Sequence, residues 1–200
     1  ERARPVSAPD GSLIDMVIFH TKQGSEAEIR AGLRASEGDF SAHYLVVSDG
    51  KMWQLAPEST ASRHAGGGVW RGRGNLDAHA IGIVLAHPGG DEIPVLQLAA
   101  ACDLCLHILS RHPVPARNIL ANSDISPASS HSDAMIDWEG LARNGVGLWP
   151  QGAPDLGTAN PVRDAASLRD VRAALAVIGY RVAPEGPLDP ALSLVLRAFQ

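Results

Sequence analysis

The chain has 200 residues, 45% of them hydrophobic and 20% charged, with a formal net charge of −5. This excludes a disordered chain and leaves enough apolar material for a buried core. Its 17 Lys and Arg are almost all Arg and do not cluster, so with the acidic balance no nucleic-acid partner is expected, and no stretch approaches the roughly 20 apolar residues of a membrane span.

Residues 1–12, rich in Pro, Ser and Gly, read as an extended N-terminal arm. Glu1 to Pro5 has no apolar core, so no signal peptide is visible, although a start left by processing would look the same. Ile14 to His20 reads as a short buried strand ending in a histidine. Ser25 with Glu28 forms a capping box that opens a helix running to about Ala35. His43–Val47 and Lys51–Leu55 are strand-like, and Ser48-Asp49-Gly50 between them signals a hairpin. Residues 62–77, rich in Gly and Arg, read as a long surface loop. Ile81–Leu85 is a buried strand, and Val95–Leu109 a core helix after Pro94, ended by His112-Pro113. Cys102 and Cys105 lie within that helix and read as small core residues rather than a redox pair, which would sit at a helix N-terminus.

Ile119–Ala121 is a further short strand, 122–135 a loop, and Trp138–Arg143 a short helix stopped near Asn144-Gly145. Residues 151–166 have the Pro- and Gly-rich composition of a linker. Beyond it, Leu168, Val171, Leu175 and Ile178 recur at helical spacing up to Gly179, and Leu188 to Phe199 give a second helix. That tail, 167–200, is too small to bury much core alone and is expected either to dock on something or to be truncated. The whole predicts an α/β (α+β) domain over 13–150, a central mixed sheet flanked by helices, with a small C-terminal helical domain.

Polar residues gather at strand ends and in loops. His20 closes an apolar strand; Asn122, Ser123 and Asp124 follow another; His131 and Asp133 come shortly after. A strand-end His with a downstream Asp is the raw material of a three-ligand zinc site, though on spacing alone such a His is more often a hydrogen-bonded structural residue. His43 and Tyr44 read as internal hairpin residues, and His79, His87, His107 and His112 as surface or helix residues.

Several segments, taken in order, carry a resemblance. Ile18-Phe19-His20-Thr21, Ser41 to Val46, Arg63-His64-Ala65-Gly66, Trp70 to Leu76, Ala80-Ile81-Gly82-Ile83, Ser123 to Pro127 and Gly145 to Pro150 resemble the zinc N-acetylmuramoyl-L-alanine amidases of the AmpD, phage lysozyme and peptidoglycan recognition protein group. The tail, with Gly179-Tyr180, Gly186 and Phe199-Gln200, resembles the peptidoglycan-binding helical repeat of some envelope amidases. The resemblance implies a zinc held by two His and an Asp or Cys. That zinc activates water against the amide between the lactyl group of N-acetylmuramic acid and L-alanine, with help from a strand carboxylate and a Lys. It also implies peptidoglycan or muropeptides as partner and the bacterial envelope or periplasm as location.

Carried over residue by residue, the pattern is degenerate. His20 matches the first ligand and Asp133 the third. The second ligand position is Asn122, the strand carboxylate is Val84, and the Lys position is His131. In the branch that uses a Tyr before the hairpin His, the matching position is Ala42. An amide oxygen is a poor neutral donor to zinc, and an isopropyl group cannot take a proton. His64, Trp70, Arg71, Arg73 and Asn75 match positions that line the substrate cleft, where Arg suits carboxylates and Trp suits sugar. Three expectations follow. The first is a muropeptide binder with a weak or vacant zinc site and little hydrolysis. The second is an active amidase using His131 as a substitute ligand. The third is a fold kept as an interaction module for a protein partner.

Overall fold

The computed structural model describes residues 11, 13–34, 40–90, 92–128, 135–150 and 165–199. Nearly all of the expected arm and linker therefore lies outside the described residues, as do His131 and Asp133.

Five strands form one sheet in the order β3-β2-β4-β1-β5, with β1 Met16–Gln23, β2 Tyr44–Val47, β3 Met52–Gln54, β4 Ala80–His87 and β5 Ile119–Ala121. Strands β2, β4, β1 and β5 run parallel, and only β3, at one edge, is antiparallel. The hairpin is the reason: Gly50 takes φ 85° and Asp49 Oδ1 accepts from Lys51 N, so the chain turns tightly instead of crossing over. The expected mixed sheet is thus present. The central strands carry near-continuous apolar runs because both faces are covered.

On the back face, Val17, Phe19, Ile81, Ile83, Leu85, Tyr44 and Val46 pack against the helix α2 (Val95–Leu109). Cys102 and Cys105 are buried there and unpaired, as expected, and burial pushes the Cys105 thiol up to about 12. Gln97 of α2 donates from Nε2 to Val46 O (2.9 Å) and Ala86 O (2.7 Å), fastening the helix across β2 and β4. The front face has two clusters. Helix α1 (Glu26–Arg34), opened by the Ser25–Glu28 capping box, covers Leu45, Val47, Val84 and Ala86. Met16, Ile18, Ala80 and Leu120 lie under the 62–77 loop and the C-terminal helices α5 (Ala165–Ile178) and α6 (Pro190–Phe199). The expected docking of the tail is therefore seen: Leu175, Tyr180, Leu192 and Val195 share one core with the sheet. Two short helices, α3 (Asn122–Ile125) and α4 (Trp138–Arg143), complete the chain order.

Four expectations need correction. His20 does not end its strand; β1 continues to Gln23 because β4 accompanies it through His87. The 122–135 segment opens with a helical turn rather than a loop, because Asp124 Oδ2 accepts from Ala121 N and closes the first turn. His87 and His112 are each only 3% exposed, not surface groups, since β4 runs longer than its apolar core and the α2 terminus folds onto Glu58.

Candidate functional site

Strand alternation puts His20 on the front face, between the two front clusters. Its neighbours follow from register. Val84 of β4 is directly opposite His20. On the other side Phe19 pairs with Ala121, the last residue of β5, and Asn122 follows it as the first residue of α3. Of the positions singled out in the sequence, 84 and 20 thus form one rung across β4 and β1, and 122 stands at the end of the strand that flanks β1.

Two more histidines close over this rung. His20 Nε2 lies 3.1 Å from His64 Nδ1, with the rings edge to face. His64 Nε2 points at the carbonyl of Ala80 (3.3 Å), which can only accept, so Nε2 carries the proton and Nδ1 accepts. The His20 proton is then on Nε2, and its Nδ1 keeps a lone pair. His43 follows the same rule: Nδ1 accepts from Gly82 N (3.0 Å) and Nε2 donates to Thr60 O (2.8 Å). All three rings are buried, which favours their neutral forms. Burial foremost, with His64 and Lys22 adding to it, holds His20 well below the usual imidazole range. Burial foremost, then His43, brings His64 down to about 4.

The backbone explains how a histidine from a long loop reaches the sheet. A Cβ on Gly82 would lie 2.6 Å from His64 Cγ, so only glycine leaves room for the ring to rest on β4. Asp77 Oδ1 accepts from His64 N (2.9 Å) and Ala65 N (2.7 Å), pinning that part of the loop. Phe40 meets the His20 ring edge to face.

Of the five expected cleft residues, only His64 joins this cluster. Trp70 is buried edge to face against Tyr180, ring centroids 5.1 Å apart. Arg71 donates from Nη1 to Val177 O (3.2 Å) and Ile178 O (2.8 Å), the last carbonyls of α5. Arg73 makes a two-pronged pair with Asp15, at 2.6 and 3.1 Å. Asn75 sits in the left-handed region, φ 52°, where the loop turns into a short 3-10 segment. Asn122 is half-buried.

Behind the cluster lies a polar network that sequence reading missed. Glu58 accepts from Tyr44 OH (2.6 Å), from Arg111 Nη2 (2.5 Å) and Nε (3.2 Å), and bonds to His112 Nε2 (2.7 Å). Burial alone would raise the Glu58 carboxyl; the bonds from His112, Arg111 and Tyr44 override it and hold the group at about 2. Its partners are far apart in sequence, and the alternation of Tyr44 was the one available hint.

The donor chemistry can be compared with a zinc ion, the metal the resemblance implies. His20, neutral and with a free lone pair on Nδ1, fits. Val84 opposite it and Asn122 at the start of α3, an isopropyl group and a carboxamide, do not. Among the described residues no group of three or more His, Cys, Asp or Glu side chains is placed to hold a metal ion.

Comparison with known proteins bears directly on this arrangement. The profile of the N-acetylmuramoyl-L-alanine amidase family matches residues 10–137. The chain is 29% identical over 197 residues to N-acetylmuramoyl-L-alanine amidase AmiD of Escherichia coli K12, covering 85% of this chain and 67% of that one. The solved complex of E. coli AmiD with the substrate anhydro-N-acetylmuramic acid-L-Ala-D-gamma-Glu-L-Lys superposes with a TM-score of 0.74 at 26% identity, covering 94% of this chain and 78% of AmiD. AmpDH3 of Pseudomonas aeruginosa shares the fold, with a TM-score of 0.80 at 24% identity, covering 94% of this chain and 82% of that one. The ordered motifs, the sheet and the profile that spans most of the sheet domain agree: this chain belongs to the N-acetylmuramoyl-L-alanine amidase family.

Proposed function

We propose that the chain binds peptidoglycan or its muropeptide fragments and hydrolyses them little or not at all. The observation that supports this reading is the chemistry around His20: Val84 lies opposite it on β4 and Asn122 opens α3 at the end of the neighbouring β5, and neither side chain can ligate zinc well or move a proton. Replacing an imidazole ligand by an amide weakens a zinc site by on the order of several kcal/mol out of the roughly 10–16 that hold a structural zinc. A missing general base alone removes roughly 10²–10⁴-fold in rate. The ligand class is supported by the relatives, since E. coli AmiD is solved with an anhydromuramoyl tripeptide and AmpDH3 with an anhydromuramic pentapeptide. The bacterial envelope is the corresponding place of action.

Co-sedimentation with purified sacculi, with chromatography of soluble muropeptides incubated at neutral pH with added zinc, tests both halves. Retention on sacculi without release of free peptide is expected. Stoichiometric zinc with steady peptide release would overturn the non-hydrolytic reading, with His131 or Asp133 then the residues to mutate. Absence from the sacculus pellet would overturn the binding reading in favour of a protein partner.

A further inference from the structure

The C-terminal helices do more than cover apolar surface. Tyr180, just beyond α5, donates its hydroxyl to Asp124 Oδ1. The other oxygen of the same carboxylate accepts from Ala121 N (2.8 Å), the last residue of β5. Asp124 therefore ties the tail to the junction where β5 becomes α3, the junction that Asn122 opens. The approach is built on both sides. Trp70 packs on the Tyr180 ring, Arg71 N donates to Gly179 O (2.9 Å), and the Arg71 guanidinium caps α5. A Cβ on Gly179 would fall 2.8 Å from both Trp70 and Arg71, so glycine is what allows the tail this close.

We propose that Tyr180 is a positioning residue of the functional site: through Asp124 the C-terminal helix pair sets the conformation of residues 121–126, and with it the placement of Asn122. The tail is then a working part of the muropeptide site. Burial, and next the Asp124 carboxylate, push the Tyr180 phenol well above its ordinary value, so it remains a donor across the physiological range. A hydrogen bond to a carboxylate is stronger and more directional than one between neutral groups, and this one acts directly on the strand–helix junction.

The ligand half of this inference rests on the muropeptide reading; the conformational half does not. Tyr180→Phe in the full chain keeps the ring against Trp70 and removes only the hydroxyl. Val195→Ala, in the same core, serves as the packing control. Amide hydrogen exchange at residues 121–126 is expected to quicken about tenfold in Tyr180→Phe while the rest of the sheet is unchanged, whereas Val195→Ala speeds exchange broadly. The Kd for anhydro-N-acetylmuramic acid-L-Ala-D-γ-Glu-L-Lys is expected to rise about five- to tenfold in Tyr180→Phe. Unchanged exchange at 121–126, or a broad rise matching that of Val195→Ala, would overturn the proposal. So would quickened exchange with unaltered affinity. If the unmodified chain does not bind the probe, the muropeptide reading fails while the exchange result still decides whether Tyr180 holds the junction.

Discussion

At the scale of single residues the site depends on a few side chains that exclude one another sterically and chemically. Asn122 is half-buried at the start of α3, so a histidine can be introduced there without a full burial cost. Asn122→His is expected to increase zinc affinity by at least tenfold, read by competition with a chromophoric chelator. If the variant takes up no more zinc than its parent, position 122 is not a metal-ligand position. Restoring the acid is harder. Val84 is fully buried among Leu45, Ala42 and Ala86, and a carboxylate there would be an unpaired buried charge. Gly82→Ala probes the other contact: with its Cβ 2.6 Å from His64 Cγ the ring must leave β4. A loss of about 1–3 kcal/mol is expected in urea unfolding, together with loss of the His20–His64 hydrogen bond in imidazole nitrogen NMR.

At the scale of elements, buried polar groups join pieces that apolar packing alone would leave loose. Glu58 links the segment after β3 to Tyr44 of β2 and to the end of α2 through Arg111 and His112. The acid behaviour of the protein follows from this network and the histidine cluster. His64 has a folded value of about 4 against the usual 6.5. Between those limits the unfolded chain binds a proton that the folded one refuses, so stability falls as pH falls from 6.5 to 4. His20 acts in the same direction. Glu58, at about 2 against 4.5, contributes fully above 4.5 and loses its contribution as pH falls toward 2. The two windows together predict a continuous acid limb starting near pH 6.5, of order 3 kcal/mol each from His64 and Glu58. Thermal unfolding followed from pH 7.5 to 3 measures it; a midpoint flat down to pH 5 would contradict the neutral assignment of the cluster.

For the whole molecule, the decisive feature is that the tail and the sheet share one core. Leu192 is 1% exposed and packs with Met16, Ile18 and Trp70's cluster on the front of the sheet. Leu192→Ala is expected to cost about 2–5 kcal/mol and to lower a single unfolding transition seen equally by probes in both parts. Two separated transitions in the parent chain would mean that the tail is an independent module, and would also weaken the case for Tyr180. Trp70, Arg71 and Arg73 hold the loop and tail in place, which leaves His20, His64 and Asn122 as the groups on which ligand experiments should begin.

Local patterning determined much of this in advance. Apolar runs specify buried strands, Ser25 with Glu28 specifies a helix start, Ser48-Asp49-Gly50 specifies a hairpin, and the order of motifs identifies the family. Each of these is legible because its physics is satisfied within a few residues of chain. What the sequence could not show is which distant groups meet. His20 and His64 are 44 positions apart, and Arg71 and Val177 are 106 apart. Their pairing depends on strand order, on which face of the sheet each side chain leaves, and on the space left by Gly82 and Gly179. The burial of His87 and His112, the network around Glu58 and the use of Trp70 and Arg71 as anchors for the tail belong to that second kind of information. It exists only once the layers have stacked, because a polar group's partner is chosen by proximity in the folded chain rather than by spacing along it.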